Sequence, residues 1–231
     1  MKFSLVIPCF NEEKNIPHLI KKCNIFKNKN TEIIIVDNGS TDNTKKILSK
    51  IKKNKFIKTI RIIKNIGYGN GIYSGLKVCS GDVIGWTHAD LQTDLNDVLK
   101  SFKFFKNFNH NLYIKGRRRG RNFSDNLFTI GMSIFETILL KSFLWDINAQ
   151  PNVFHRSFLR KITNPPKDFS FDLYVYYIAK INKLRLKRIS VLFKDRIHGK
   201  SSWNINFKSK IHFIIRTIEY SLRLKKKIKY K

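Results

Sequence analysis

Apolar positions in the first half of the chain come in short runs separated by stretches of helical period. Phe3-Ser-Leu-Val-Ile-Pro8 and Thr31-Glu-Ile-Ile-Ile-Val-Asp37 are rich in aliphatic side chains and read as buried strands. Between them Asn11-Glu-Glu-Lys opens a helix to about Phe26, with Ile16, Leu19, Ile20 and Cys23 at helical spacing. Asn38-Gly-Ser-Thr-Asp42 supplies a turn and then an N-cap for the next helix. Phe56 to Ile63 predicts a third strand, Gly71 to Cys79 a third helix and Asp82 to Trp86 a fourth strand. This β-α-β-α-β-α-β order predicts a parallel sheet with helices on its faces.

The second half is more mixed. Leu95 to Phe105 has a helical pattern, and Asn111-Leu-Tyr-Ile-Lys115 predicts a strand ending at Gly116. An amphipathic helix is expected over Asn126 to Leu144, a short strand over Asn152 to His155, a helix over Phe171 to Lys180 and a basic strand over Leu184 to Phe193. Residues 205 to 224 form a last helical pattern with Ile211, Ile214, Ile215, Ile218 and Leu222 near one face. No internal repeat or low-complexity linker interrupts the chain, so 231 residues divide into one domain over 1–204 and a basic amphipathic helix and tail over 205–231.

Charge narrows the partners. Forty-six Lys and Arg against 16 Asp and Glu leave a net +30, which points to an anionic partner: nucleic acid, a phosphorylated small molecule or an acidic membrane surface. A nucleic-acid role would need a reading motif or aromatic platforms interleaved with the basic residues, and neither is present. From 200 to 231 ten Lys and Arg stand against Glu219 alone, which suits either an interfacial helix on an anionic bilayer or a helix packed on the core. The Leu127 to Leu144 stretch carries Glu136 and Lys141, so it reads as a helix able to lie in an interface and not as a span. Cys9, Cys23 and Cys79 share no C-x-x-C spacing and read as small core residues in a reducing compartment. The chain opens directly into a strand pattern with no signal-peptide pattern, so a cytoplasmic location, peripheral on the inner face of a membrane, is expected.

The chemistry gathers at Gly81 to Thr93. The apolar run Val83 to Trp86 stops at Thr87-His88-Ala-Asp90-Leu-Gln92, and ligands in open α/β sheets collect at the carboxyl ends of strands. Alternate residues of an extended loop point the same way, so His88, Asp90 and Gln92 can converge on one divalent cation completed by water and diphosphate oxygens. Such an ion would neutralise a departing nucleoside diphosphate. Asp37, at the second strand's end, suits a ribose or base, or else only shapes an Asx-turn. Glycines 67, 69 and 71 fail the dinucleotide fingerprint because Ile72 stands where the last glycine belongs; they allow close backbone approach at a helix start. Arg117-Arg-Arg-Gly-Arg121 puts four guanidinium groups into what reads as a loop, suited to a shared anion, and Arg196 to Ser201 forms a second anion-ready loop around Gly199.

Taken together, Val6-Ile-Pro-Cys-Phe-Asn-Glu12, Val36-Asp-Asn-Gly-Ser-Thr-Asp42, Asn65 to Gly71, Ser80-Gly-Asp82, Ala89-Asp-Leu-Gln92, Lys115-Gly-Arg117 and Arg196-x-x-Gly-x-Ser201 resemble glycosyltransferase family 2, especially its polyprenyl-phosphate branch. The resemblance implies a GT-A, Rossmann-like α/β fold: a mixed, mainly parallel sheet flanked by helices, here with a C-terminal amphipathic helix. It implies that Pro8, Phe10, Glu12, Asp37, Asn65 and Gly67 line a nucleotide-sugar pocket, with Asp90 and Gln92, and His88 beside them, on Mg²⁺ or Mn²⁺. Arg117, with Arg119 or Arg121, would receive an acceptor phosphate, and Arg196 and Ser201 would close over the diphosphate. The family's usual Asp-x-Asp is His88-Ala-Asp90 here, and its usual second Asp after Val-Asp is Asn38.

The expected reaction is direct displacement, with inversion, at the anomeric carbon of a nucleoside diphosphate sugar. A polyprenyl-phosphate acceptor is already ionised and needs no base. A hydroxyl acceptor on a glycan would need a carboxylate, for which Asp146 and Asp172 are the candidates. A catalytically inactive nucleotide-sugar-binding protein is a further reading, and the oligomeric state is left open.

Overall fold

The computed structural model describes residues 1–27, 29–51, 55–105, 110–196, 198 and 207–229. Its elements run β1 (Phe3–Cys9), α1 (Ile16–Cys23), β2 (Thr31–Asn38), α2 (Thr44–Ser49), β3 (Ile57–Ile62), α3 (Tyr68–Lys77), β4 (Val83–Trp86) and α4 (Leu95–Lys103). The second half adds β5 (Leu112–Arg119), α5 (Phe123–Leu140), β6 (Asn152–His155), α6 (Ser170–Ile181), β7 (Arg185–Leu192) and α7 (Phe207–Lys229). Among the described residues these strands form one sheet in the order β3-β2-β1-β4-β6-β5-β7. All neighbours are parallel except β6, which lies antiparallel between β4 and β5. The expected mixed, mainly parallel α/β sheet is therefore what the chain forms.

Strand alternation sorts the core into two layers. Val6, Ile34, Ile84, Trp86, Tyr113 and Phe154 face α3, α6 and the inner side of α5. Leu5, Ile7, Ile33, Ile35, Val83 and Ile114 face α1 and α4. Gly75 sets the first layer's thickness, since an added Cβ would lie 2.3 Å from Val6 Cγ1; α3 rests directly on β1 because nothing projects there.

Three boundaries differ from expectation. Helix α1 starts at Ile16 because Asn11 to Glu13 are committed to the 40–43 turn: Thr41 N–H donates to Asn11 Oδ1 at 2.9 Å and Asn43 N–H to Glu13 Oε2 at 3.0 Å. Helix α5 starts at Phe123, capped by Asn122, whose Oδ1 accepts from Asp125 N–H at 2.8 Å. The largest difference is in β5, which continues through Arg117, Arg118 and Arg119, paired with Ser190, Val191 and Leu192 of β7. Gly116 does not end the strand. An added Cβ there would fall 2.0 Å from Gln150 O, so the glycine admits a close backbone crossing.

Helix α7 buries one stripe, Phe213, Thr217, Ser221 and Leu224, at i, i+4, i+8 and i+11. Ser221 Oγ donates to Glu136 Oε1 of α5 at 2.7 Å, and Arg216 pairs with Asp168 before α6 at 3.5 Å. The described part of α7 is thus packed on the core along this stripe, while Ile211, Ile215 and Leu222 are exposed on its other side. Among the described residues, no helix is long and apolar enough to cross a membrane.

Candidate active site

The carboxyl ends of β1, β2, β4 and β5 lie at one edge of the sheet, because these strands run parallel. At β4, Thr87 N–H continues the ladder to Val6 O at 3.1 Å, after which Leu91 takes a left-handed conformation with φ 60°. That kink lets Asp90 and Gln92 turn toward the same point. Asp90 is buried at 4% exposure, and its Oδ1 accepts from Gln92 N–H at 3.2 Å.

The point they share holds a cation from the chain itself. Arg196 Nη2 donates to Asp90 Oδ2 at 2.9 Å and its Nε to Gln92 Oε1 at 3.2 Å. Gln92 is fixed by the segment that carries this arginine, donating through Nε2 to Lys194 O at 2.9 Å, while Lys194 N–H donates back to Gln92 O at 2.9 Å. Among the described residues no cluster of three His, Cys, Asp or Glu side chains is placed to hold a metal. Yet two oxygens, one anionic and one neutral, converge on one positive group. That donor set fits a divalent cation whose remaining ligands come from a diphosphate.

The His88 ring is stacked on Tyr68 at 5.4 Å, and Tyr68 in turn stacks on Phe169 at 5.0 Å. Tyr68 Oη accepts from Gln150 Nε2 at 3.2 Å, and the same amide donates to Asp172 Oδ1 at 2.9 Å. Asp172 Oδ1 also accepts from Trp86 Nε1 at 3.2 Å and Asn152 Nδ2 at 3.2 Å. Burial pushes the Asp172 carboxyl up, against the pull of the Lys115 and His88 charges and these hydrogen bonds. Asp172 is a buried hub, and Gln150 is the strut joining it to the Tyr68 stack.

The nucleotide-side residues occupy the β1 and β2 ends. Asp37 Oδ1 accepts from Ser40 N–H at 2.9 Å and Oδ2 pairs with Arg61, so its carboxylate both closes the Asx-turn and neutralises β3's arginine. Asn38 explains its own departure from an acid: its Nδ2 donates to Gly67 O at 3.0 Å, which a carboxylate could not do. Asn65 Oδ1 accepts from Gly67 N–H at 2.9 Å and holds that loop in shape. At the α3 amino end two first-turn amides are already taken: Gly69 and Asn70 N–H donate to Asp168 O at 3.2 Å and Lys167 O at 2.9 Å. Pro8 is buried against Gly71, whereas Phe10 is 43% exposed beside the β1 end. Burial raises the Glu12 carboxyl, the nearby Asp90 adds to this, and Asn15 and Arg196 oppose it. Ser201 lies outside the described residues, as do Gly199 and Lys200.

The arginines separate by strand alternation. Arg117 and Arg119 are exposed. Arg118 turns inward, its N–H and Nε each 2.8 Å from the Asp146 carboxylate. Arg121 is directed to its own helix, toward Thr129 and Asp125, so of the three expected phosphate ligands two face outward and one does not. Burial raises the Asp146 carboxyl, but the Arg118 charge and hydrogen bonds outweigh it and hold the group below its usual range. Arg188 of β7 was missed by sequence reasoning. Its Nη1 and Nη2 are buried without a hydrogen-bond partner among the described residues, 5.9 Å from the Tyr176 ring centre to the guanidinium carbon. The signal was the alternation itself, which puts Leu186, Arg188 and Ser190 on one face.

Comparison with known proteins gives the family and the fold. The sequence profile described as Glycosyl transferase family 2 matches residues 4–164. A dolichol-phosphate mannosyltransferase of Pyrococcus furiosus is 33% identical over 108 residues, covering 46% of this chain and 31% of the relative. An undecaprenyl-phosphate 4-deoxy-4-formamido-L-arabinose transferase of Pseudomonas fluorescens is 34% identical over 101 residues, covering 41% and 30%. The matched part thus spans about a third of each relative's own length. A mannosyltransferase from Pyrobaculum calidifontis, solved with GDP-Man and Mn²⁺, shares the fold at a TM-score of 0.68 and 15% identity, covering 96% of this chain and 64% of that one.

Proposed function

Because the chain belongs to glycosyl transferase family 2, we propose that it transfers a sugar, with inversion, from a nucleoside diphosphate sugar to a polyprenyl phosphate. The observation that carries the acceptor is the state of the two carboxylates available as bases. Asp146 is clamped by Arg118, and Asp172 is 2% exposed within a hydrogen-bonded network. Neither is free to take a proton from a hydroxyl. A phosphate monoester arrives already ionised and needs no such base, and Arg117 and Arg119 stand exposed on the strand end beside the donor site.

On this reading Pro8, Phe10, Glu12, Asp37, Asn65 and Gly67 bound the nucleotide pocket. Asp90 and Gln92 would hold Mg²⁺ or Mn²⁺, which supplies charge neutralisation for the departing diphosphate. Arg196 leaves its ion pair with Asp90 and turns its guanidinium to the diphosphate oxygens, with Ser201 on the same segment. Arg117 and Arg119 orient the acceptor phosphate in line with the anomeric carbon, and Tyr68 with His88 forms an aromatic wall. Residues 1–204 would form the catalytic domain and 205–231 a basic amphipathic C-terminal helix and tail. An acceptor of this kind places the enzyme peripherally on the cytoplasmic face of a membrane.

The test is product analysis. A thermal-shift screen of nucleoside diphosphate sugars with and without Mn²⁺ first names the donor, since ligand binding stabilises the native state by mass action. The labelled donor is then offered with a polyprenyl phosphate and with a neutral glycan. Label is expected on the lipid; label appearing only on the glycan overturns the acceptor assignment.

A further inference from the structure

Helix α5 carries its apolar residues on the wrong side for a helix covered only by its own fold. Its inner face, Ser133, Glu136 and Leu140, is buried, yet the outward positions Phe123, Leu127, Ile130, Ile134 and Ile138 are 83, 59, 36, 52 and 73% exposed. These stand at i, i+4, i+7, i+11 and i+15, one continuous stripe along the helix. Gly131, the other exposed position between Leu127 and Ile138, has nothing within 4 Å of an added Cβ, so it adds no polar group either. From Leu127 to Ile138 the exposed face offers water no side-chain hydrogen bond. Phe143, 64% exposed, extends the band past the helix end.

Cations bracket the band. Arg117 and Arg119 are exposed on the strand leading into α5, and Lys141 is exposed at its C-cap. We infer that this face of α5 seats the protein on an anionic lipid bilayer; the inference rests on the acceptor reading above for its purpose. Charge complementarity decides between the two occupants an apolar helix face invites. A second copy would bring two chains of net +30 together, and a two-fold pairing of antiparallel α5 stripes would set the arginine end of one against Lys141 of the other. An anionic bilayer reverses that sign: acyl chains receive the Phe and Ile side chains while phosphates meet the flanking cations. The same seating holds Arg117 and Arg119 at headgroup height, where an acceptor phosphate lies.

The experiment is co-sedimentation of the full chain with vesicles of phosphatidylcholine alone or containing phosphatidylglycerol, without donor or acceptor. Wild type is expected on the anionic vesicles. Ile134→Glu and Ile138→Glu, both outward and harmless to the core, should each weaken partitioning by about tenfold or more. Ile134→Glu that binds as wild type overturns the assignment. So does a concentration-dependent dimer in sedimentation velocity that Ile134→Glu dissolves while vesicle binding persists. Transfer to a water-soluble, short-chain polyprenyl phosphate in vesicle-free buffer separates this from the acceptor reading. Equal rates in wild type and Ile134→Glu are expected. Loss in the variant alone would mean that α5 touches acceptor and not bilayer, whereas no transfer by wild type removes the acceptor reading and leaves the vesicle result to stand by itself.

Discussion

Arg196 and Asp90, 106 positions apart, form a 2.9 Å ion pair across the edge of the sheet where the donor is expected. Nε of the same guanidinium also takes Gln92 Oε1, so Arg196 occupies the point proposed above for the metal. A metal bound there would have to compete with Arg196, which would lower its apparent affinity by the fraction of time the pair is closed. Arg196→Ala should tighten Mn²⁺ binding in the absence of nucleotide by about tenfold, measured by electron paramagnetic resonance of free Mn²⁺. The same substitution should reduce turnover by about 10²–10³-fold, because the diphosphate loses a cation in the transition state. Unchanged Mn²⁺ affinity would show that the pair does not guard the site.

Neighbouring arginines should behave oppositely. Arg117→Ala and Arg119→Ala remove exposed guanidinium groups and should raise the acceptor KM by about tenfold with unchanged unfolding curves. Arg118→Ala strands Asp146, 4% exposed, without its partner. Its expected signature is a loss of about 3–5 kcal/mol of stability. Because the Asp146 carboxyl is held below its ordinary value when folded, its stabilisation is present above the unfolded pKa and is lost as pH falls through the folded one. Arg118→Ala should therefore flatten the acid arm of stability against pH. Equal effects of all three substitutions on KM would refute the alternation.

How much of this was legible beforehand follows from which periodicities are local. The β1 to β4 half declared itself because fully buried parallel strands are continuous apolar runs punctuated by turn residues, and Thr31 to Asn38 is buried at every position. Composition misled at Arg117 to Arg119: four arginines around glycine look like a loop, but an edge-side strand can alternate charge outward with one ion pair inward. Gln150 and Tyr68 were invisible because they meet across 82 positions, whereas Arg188 was legible only through the alternation of its strand. The pairing of Arg196 with Asp90 was equally hidden, although both residues were singled out: spacing along a chain does not say which cation occupies a site. The outward apolar stripe of α5 needed the structure to tell its free face from its packed one.

Glu136 offers a pH test of the α5–α7 contact. It is fully buried, Ser221 donates to its Oε1, and Oε2 has no partner among the described residues. Burial raises its carboxyl to about 7, with Ser221 opposing. A carboxyl raised on folding favours the native state while protonated, so its effect is most favourable below the unfolded pKa and is lost as pH rises toward about 7. Glu136→Gln keeps an acceptor for Ser221 and cannot ionise. Relative to wild type it should gain roughly 2 kcal/mol between pH 5 and pH 8, read from urea unfolding at the two values. A difference that does not change with pH would mean that Glu136 is already ionised and solvated in the fold.

Lys115 should show the opposite sign. Its ammonium is fully buried, donating to Asn152 Oδ1 at 2.8 Å and Ala149 O at 3.0 Å, with the Tyr176 ring centre 5.3 Å away. Burial lowers it to about 7, although Asp172 pulls the other way. A lysine lowered on folding costs stability while charged, so the penalty is full below the folded value and fades as pH rises toward the unfolded one. The window is closed at its upper end by Cys23 and Cys79, whose thiols burial pushes up to about 12 and which begin to cost stability once unfolded thiols ionise. Lys115→Met keeps the volume and removes the charge. Its stability relative to wild type should therefore fall by about 2 kcal/mol between pH 7 and pH 8.5, as wild type sheds a penalty the variant never carried. Trp86, which donates to Asp172, gives a fluorescence signal for the same unfolding transitions. A constant difference across that window would mean that Asp172 holds Lys115 charged throughout, making the two a buried ion pair in place of a neutral amine beside a buried acid.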